Sequence, residues 1–239
     1  MVRWDTLWPG GLAFAFDDGP FKPSTDTFLL GGFAAPGRND RVCDLGAGIG
    51  LLGLLLLGRQ PTLRITDIDI DPAGCALAEE SFRRNGLEGH TVLCADLRDR
   101  GALPPAGSFD MVVSNPPYFA AGSGAVAAGQ RGAARSEVTC TLAELCGAAA
   151  YLLRSGGQLC LIHRAERLAE LMALLRGLRL EPKTLQTVQK SGGTPPRLVL
   201  LQCRKDGGTG MKILPPLLLQ NDDGTESDAL RRCYFRDRE

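Results

Sequence analysis

The sequence predicts a doubly wound α/β fold, in which a mostly parallel seven-stranded sheet ends in an antiparallel edge strand. From Arg41 onward, short apolar runs bounded by Gly, Pro or Asp alternate with longer helical patterns, which is typical of a parallel sheet built from βα units. Further on, the short loop KSGGTPP joins two β-like runs, and a loop of that length connects antiparallel strands.

The elements follow in order along the chain. We expect the five parallel strands at 41–45, 63–69, 91–95, 109–114 and 158–163. Asp71 is a natural N-cap for the helix between the second and third strands, Pro72 suits its first position, and Asn85-Gly86 ends it. A helical pattern then leads into the antiparallel pair: the helix is expected over 164–178, and the two strands over 183–189 and 197–204.

Length and charge set limits on the organisation and on the partners. A chain of 239 residues with 44% hydrophobic content can bury one sizeable core, so we expect a single domain over 1–239. Its core would span 41–205, with an N-terminal extension over 1–40 and a C-terminal extension over 206–239. Because the formal net charge is zero, the molecule as a whole does not attract nucleic acid, and any RNA contact must be local.

Composition argues against disulfides, metals and membranes. The eight cysteines are scattered without a Cys-x-x-Cys pair, so we expect reduced thiols, mostly in the core. With only His90 and His163 available, we predict no metal site. The N-terminus lacks a basic segment followed by a long apolar run, and Leu51 to Leu57 is too short to span a bilayer. A cytoplasmic location is therefore expected.

A glycine-rich turn, Asp44-Leu45-Gly46-Ala47-Gly48-Ile49-Gly50, ends the first strand and opens the first helix. Its glycines let the backbone turn tightly and approach a ligand, and ligands of open α/β sheets bind at this edge. The dinucleotide pattern G-x-G-x-x-G is not met, because position 51 is Leu. Asp44 would repel a pyrophosphate but suits a cation, such as the amino group of a methionine moiety. Gly46, Ala47 and Gly48 would line that ligand.

Acidic residues also follow the second and third strands. Asp69, with its neighbour Ile70, is placed to accept hydrogen bonds from two ribose hydroxyls, and Asp96, followed by Leu97, could accept from an adenine amino group. Each acid alone could equally be a helix cap or a solvated turn residue. Their recurrence after three successive strands predicts a pocket for S-adenosylmethionine.

The motif Asn115-Pro116-Pro117-Tyr118 follows the fourth strand and suits a planar NH₂ group. The amide oxygen of Asn115 and the carbonyl of Pro116 can each accept one N–H, while Tyr118 stacks on the plane that carries the nitrogen. The two prolines hold these acceptors in place by restricting the backbone. Taken alone, the motif could also be a Pro-rich turn that ends a strand.

Together these residues resemble the class I S-adenosylmethionine-dependent methyltransferases that carry the Asn-Pro-Pro-Tyr signature and methylate amino or amide nitrogens. Flanking tracts are similar to the bacterial tRNA(Val) adenine-N6 methyltransferase family: FKPSTDTFLL at 21–30, ARSE at 134–137, HRAERLAELM at 163–172, LEPKTLQTVQ at 180–189 and PPLLLQNDDGTESDALRRCY at 215–234. The chain departs from that family at Ser136, where His is usual, and at Gln220, where an aromatic residue is usual.

The resemblance implies a Rossmann-like fold, S-adenosylmethionine as cofactor, and methylation of the exocyclic N6 of an adenine in tRNA. Asn115 and the Pro116 carbonyl would hold the amino group, and the extruded base would stack on Tyr118. Asn115 would also lie against the cofactor.

Other residues carry weaker expectations. Thr25 and Asp26 could close over the cofactor, or could equally cap the helix that continues to Phe33. Arg131 and Arg135 would contact RNA from a substrate loop, unless that segment is a surface loop with incidental arginines. A local basic face for phosphates could be formed by Arg164, Arg167, Lys183, Lys190, Arg197, Arg231 and Arg232.

Three alternatives stay open. A protein-glutamine N5 methyltransferase would present the same NH₂ geometry, but it typically carries a helical domain ahead of the core, whereas only about 40 residues precede the first strand here. A guanine-N2 methyltransferase of ribosomal RNA tends to have Phe in place of Tyr118. The third alternative is a non-catalytic module that binds a methionine nucleoside or RNA, against which the intact Asn115 and strand-end acids argue.

Overall fold

The computed structural model describes residues 1–17, 22–116 and 140–237. Its strands are β1 (Arg3–Thr6), β2 (Ala13–Phe16), β3 (Arg41–Leu45), β4 (Arg64–Asp69), β5 (Thr91–Cys94), β6 (Phe109–Ser114), β7 (Leu153–Arg164), β8 (Leu180–Gln189), β9 (Leu198–Lys205), β10 (Lys212–Ile213) and β11 (Leu217–Leu218). Its helices are α1 (Thr25–Phe33), α2 (Leu51–Arg59), α3 (Pro72–Arg84), α4 (Leu142–Leu152), α5 (Leu168–Gly177) and α6 (Asp228–Cys233), with a 3₁₀ turn at Ala165–Arg167.

The central sheet has the order β10-β8-β9-β7-β6-β3-β4-β5, and β11 also pairs with β8. The five strands from β5 to β7 are mutually parallel, whereas β9 runs antiparallel to both β7 and β8. This confirms the doubly wound, mostly parallel α/β class that the sequence predicts. The short strands β10 and β11 enlarge the sheet beyond the expected seven strands and cover the outer edge of β8.

The reversed strand is not at the edge, and this detail of the prediction was wrong. The antiparallel strand β9 lies between β7 and β8, and its apolar run Val199-Leu200-Leu201 is buried by the layers on both faces of the sheet, as is typical of an inner strand. In contrast, β8 carries half-exposed polar residues, and only the short strands β10 and β11 pair with its outer edge.

Helices cover both faces of the sheet. One apolar cluster joins the face that carries Val42 and Ile65 to α1, α2, α3 and α6, and the other joins the opposite face to α4 and α5. In α2, Leu54, Leu55 and Leu56 are completely buried, so this helix is the centre of the first cluster. The packing leaves the carboxyl edge of the parallel strands as the place where their loops meet.

The predicted boundaries of α3 are confirmed. The Asp71 side chain accepts from the Ala73 N–H, Pro72 begins the helix, and Asn85 ends it. Asn85 also ties the β1–β2 hairpin to the helix: its Oδ1 accepts from the Ala13 N–H at 2.8 Å and its Nδ2 donates to the Ala13 carbonyl. The predicted helix after β7 begins as the 3₁₀ turn and continues as α5.

Six of the eight cysteines are buried, Cys140 is half-buried and Cys94 is exposed, and all eight are free thiols, in agreement with the sequence prediction. Within 1–17, 22–116 and 140–237, no helix is both long and apolar enough to cross a bilayer.

Candidate active site

The loop after β3 forms an open cradle. Gly46, Gly48 and Gly50 have φ of +72°, +55° and +71°, a backbone region that other residues adopt only with strain. The N–H groups of Gly46 and Ala47 donate to the Ile68 carbonyl, which fixes the loop against β4. A Cβ added at Gly46 or at Gly48 would meet no atom within 4 Å, so space for a ligand lies directly over the backbone.

Three carboxylates line the sheet beneath this cradle. Asp44 and Asp67 are register partners on β3 and β4, and Asp69 lies two residues further along the same face of β4. Asp44 and Asp67 are 2% and 0% exposed. Among the described residues, one oxygen of Asp44 and both oxygens of Asp67 have no hydrogen-bond partner.

Burial dominates the chemistry of these carboxylates. It raises the pKa of Asp44 well above its usual range, and the charges of Asp67 and Asp69 raise it further. Burial and then the charge of Asp69 raise the pKa of Asp67 to about 8. The pKa of Asp69 is also raised by burial, although hydrogen bonds from Asp71 and Gly48 oppose this effect. The charged form of Asp44 is therefore disfavoured, and a cationic group bound close to it would stabilise that form.

Asp69 links the cradle to the second strand end. One of its oxygens accepts from the Gly48 N–H at 2.7 Å and the other from the Asp71 N–H at 2.8 Å. The next residue, Ile70, is one of the few large apolar side chains with substantial exposure, at 44%. An exposed isoleucine beside this carboxylate offers an apolar surface for a flat ring.

The third strand-end acid, Asp96, is held by a neighbour. Its carboxylate accepts from the backbone N–H and the guanidinium of Arg98, and this pairing lowers the pKa of Asp96 to about 2. Leu97 is 7% exposed and packs in the second apolar cluster. Asp96 stays ionised as an acceptor, but any ligand must share it with Arg98.

The end of β6 is fastened to two other elements. The Asn115 Nδ2 group donates to Thr27 Oγ1 at 3.0 Å and to Ser24 Oγ at 3.4 Å, and both partners belong to the first turn of α1. The hydroxyl of Ser114 donates to the Leu45 carbonyl at 2.7 Å, at the start of the cradle. Pro116 is buried. The amide of Asn115 is thus oriented by α1 and lies at the strand end next to the cradle.

Four residues that were predicted to contact the methyl-accepting substrate lie outside the described residues: Pro117, Tyr118, Arg131 and Arg135.

The start of α1 contradicts one of the two expectations for Thr25 and Asp26, namely that they cap the helix. Ser24 is the N-cap, since its side chain accepts from the Thr27 N–H; Thr25 and Asp26 are the first residues of the helix and do not cap it. Thr25 Oγ1 accepts from the hydroxyl of Tyr234 at 3.0 Å, and the Tyr234 ring stacks on Phe28 at 4.1 Å between centroids. The C-terminal extension therefore packs against the same helical turn that orients Asn115.

The seven residues of the predicted basic face do not all line one surface feature in the structure. Arg167 forms an ion pair with Glu170, and Lys183 donates to the carbonyls of Gly208 and Thr209. Arg231 donates to the Arg236 carbonyl, and the Arg232 carbonyl accepts from Arg59. The other three members line one cleft: Arg164, Lys190 and Arg197.

Sequence reasoning missed several residues that shape this site. Ser24 and Thr27 act across more than 85 positions in sequence, at separations of 91 and 88 residues from Asn115, so no local pattern reveals the contact. For Asp67 the sequence did contain a signal. In Asp67-Ile68-Asp69 the two acids are two positions apart, and the two-residue period of a strand places both on one face.

The site fits S-adenosylmethionine on two grounds. The glycine cradle leaves open space over Gly46 and Gly48, and a buried oxygen of Asp44 has no partner among the described residues. The open space suits a ligand that lies against the backbone, and the buried oxygen of Asp44 suits a ligand with a cationic group.

Comparisons with known proteins agree with this geometry. The family model described as methyltransferase small domain matches residues 23–190. A tRNA1(Val) (adenine(37)-N6)-methyltransferase of Porphyromonas gingivalis is 33% identical over 77% of this chain and 74% of its own length. An enzyme with the same name from Dickeya chrysanthemi is 29% identical over 96% and 95%.

Among solved structures, a predicted O-methyltransferase from Agrobacterium tumefaciens superposes with a TM-score of 0.72 over 88% of this chain and 95% of that one, at 23% identity. A geranyl diphosphate C-methyltransferase from Streptomyces coelicolor, in complex with S-adenosyl-L-homocysteine, gives a TM-score of 0.53 over 74% of this chain and 77% of that one, at 14% identity. These two likenesses show the fold. The family model and the curated relatives show that the chain belongs to the methyltransferase small domain family and, within it, to the tRNA1(Val) adenine-N6 methyltransferases, and is an S-adenosylmethionine-dependent methyltransferase.

Proposed function

We propose that this enzyme methylates the exocyclic N6 of an adenine in tRNA. The observation that carries the proposal is the orientation of Asn115. Its NH₂ group donates to Ser24 and Thr27, and these two contacts fix the plane of the amide at the end of β6. In this proposal the carbonyl oxygen of the same amide accepts a substrate N–H when the substrate binds. The names of the curated relatives support tRNA as the substrate and position N6 as the target.

The methyl donor would lie along the cradle. Asp44 would lie near the amino group of the methionine moiety, and Asp69 would accept from the ribose hydroxyls. The backbone of Gly46, Ala47 and Gly48 would line the donor between them. Ile70 and Leu97 would lie beside the adenine ring, and Asp96 near the amino group of that ring. When bound, S-adenosylmethionine supplies an electrophilic methyl group. The first turn of α1, which contains Thr25 and Asp26, would close this side of the site.

Asn115 and the carbonyl of Pro116 would accept the two hydrogens of the target amine. The nitrogen lone pair of an aromatic amine is delocalised, and two acceptors that favour a pyramidal nitrogen stabilise the transition state more than the ground state. A strong general base and a metal ion are not required. In this proposal Pro117 keeps the motif rigid and Tyr118 stacks on the extruded base.

The partner of the enzyme and its compartment follow from the same proposal. We infer a single domain in which 41–205 is the core and the segments 1–40 and 206–239 complete the site, working on tRNA in the cytoplasm. With a net charge of zero, RNA binding would rely on few phosphate contacts, including Arg131 and Arg135.

A methyl-transfer assay tests the proposal. Wild-type protein and the Asn115→Ala variant are incubated with tritiated donor and either bulk tRNA, total ribosomal RNA or a glutamine-containing release-factor peptide. We expect N6-methyladenosine in digested tRNA, and a loss of turnover of roughly 10²- to 10³-fold in the variant, as for one lost transition-state acceptor. Donor affinity should be nearly unchanged.

Two results would contradict the proposal. If only the peptide gains a methyl group, on glutamine, the enzyme is a protein methyltransferase. If ribosomal RNA yields N2-methylguanosine, the acceptor is guanine.

A further inference from the structure

A second cleft opens on the far side of the first turn of α1. It has a volume of about 730 Å³, within the range of sites that hold small ligands. Thr25 forms part of one wall, the carboxyl ends of β7 and β8 contribute Arg164 and Gln189, and the C-terminal extension contributes Gln220. The cleft is therefore built from the core and from the extension together.

The lining of the cleft is cationic and rich in amides. Lys190 and Arg197 are exposed, and neither forms an ion pair or side-chain hydrogen bond among the described residues. Two carboxylates, Asp26 and Glu226, also line the cleft, and Glu226 forms an ion pair with Arg236. The lining thus favours an anion.

Two glutamine amides stand beside these cations. The Gln189 carbonyl accepts from the Leu219 N–H, and the Gln220 N–H donates to the Lys190 carbonyl, so the backbone holds both residues in place. Their side-chain amides make no hydrogen bond among the described residues. Two amides on a fixed backbone can donate to and accept from the edge of a nucleobase.

The cleft adjoins the acceptor end of the active site. Thr25 lines it from the same helical turn whose Ser24 and Thr27 hold Asn115. Arg164 ends β7, the strand that pairs with β6 just before Asn115. A helix is about 10 Å across, so a strand of RNA with one base at Asn115 could reach the cleft with a neighbouring nucleotide.

We propose that this cleft binds a nucleotide adjacent to the target adenine, with Lys190 and Arg197 on its phosphate and Gln189 and Gln220 on its base edge. The inference rests on the proposed function, since it needs RNA as the substrate. It assigns the selection of sequence context to β8, its following loop and the C-terminal extension.

The test compares charge-removing variants in the full chain. Lys190→Gln/Arg197→Gln removes the two cations of the cleft, while Arg64→Gln/Lys212→Gln removes two exposed cations elsewhere on the sheet and serves as the matched control. Methylation of bulk tRNA and of the release-factor peptide, and binding of the same tRNA, are measured between 50 and 300 mM salt. Donor binding is measured by calorimetry.

Removal of the cleft cations should raise the KM for tRNA by about 10- to 50-fold at 0.1 M salt and flatten the log–log salt slope by about 1.4–1.8, at 0.7–0.9 per phosphate. Gln189→Ala/Gln220→Ala should raise KM by roughly fivefold or more and leave the slope unchanged, because neutral hydrogen bonds release no counterions. Donor binding should be unaffected in every variant, and the control should match wild type.

The outcomes separate the two proposals. If wild type methylates tRNA and the cleft variants show the KM and salt slope of the control, the cleft assignment is wrong while the proposed function stands. If wild type methylates no RNA, both fail. If the cleft variants instead lose only peptide methylation, the occupant is a protein segment, and the inference is overturned.

Discussion

The buried carboxylate of Asp67 predicts an unusual dependence of stability on pH. Asp67 is completely buried, and neither of its oxygens has a hydrogen-bond partner among the described residues. A Cβ added at Gly50 would lie 2.5 Å from one of these oxygens, and one added at Gly53 would lie 3.0 Å from the other, so the carboxylate is packed tightly against α2. We therefore expect the folded protein to hold Asp67 in its neutral form at neutral pH.

The sign and size of the effect follow from linkage. The pKa of Asp67 rises from 3.8 when unfolded to about 8 when folded. Below pH 3.8 both states are protonated and stability is at its full value; above it, only the unfolded state ionises, so stability falls as pH rises towards 8. Each pH unit costs about 1.4 kcal/mol, or about 4 kcal/mol by pH 7.

Asp67→Asn keeps the shape of the side chain but removes the ionisation. We expect the free energy of unfolding of the variant to exceed that of wild type increasingly between pH 5 and 8, by about 1.4 kcal/mol per unit. Urea unfolding at several pH values, followed by circular dichroism and by fluorescence of Trp4 and Trp8, measures this difference. Asp5→Asn, at an exposed position, is the control.

Parallel pH profiles for wild type and Asp67→Asn would refute the reasoning, because they would show that Asp67 ionises equally in both states. The same would hold if Asp5→Asn changed the profile as much as Asp67→Asn did.

Two further predictions concern the active site. Asp69→Ala should weaken binding of S-adenosylmethionine by about 1.5–3 kcal/mol, the usual worth of charge-assisted hydrogen bonds, and calorimetry showing equal affinity would contradict the assignment. Thr27→Val removes one acceptor that orients Asn115, so the kcat for tRNA should fall by roughly 5- to 10-fold with donor affinity unchanged. Thr62→Val, in the loop before β4, is the matched control and should keep the wild-type kcat.

Local patterns predicted the parallel half of the fold well. Asp71, Pro72 and Asn85 mark the bounds of α3 because caps depend on residues that are neighbours in sequence. The order of the last two large strands was misjudged for a different reason. Antiparallel pairing was inferred correctly from the loop, but the loop does not say which strand of the hairpin faces β7. The continuous apolar run Val199-Leu200-Leu201, which is buried in β9, is the feature typical of the inner strand of the pair.

The C-terminal extension was beyond the reach of periodicity. The strands β10 and β11 contain two residues each, and α6 contains six, which is too short for a pattern of burial to emerge. Their positions depend on tertiary contacts with β8 and α1. The positions of the strand-end acids were easier to predict, because parallel strands bring Asp44 and Asp69 to one edge once the sheet is assumed.

The first turn of α1 joins features that the sequence kept separate. Ser24 and Thr27 hold the amide of Asn115, Thr25 accepts the hydroxyl of Tyr234 from the segment after α6, and Thr25 and Asp26 line the second cleft. A shift of this turn would therefore move the acceptor amide, the C-terminal extension and the cleft wall together. Because one rigid helical turn connects them, occupation of the cleft by RNA and correct placement of Asn115 should be energetically coupled, each favouring the other.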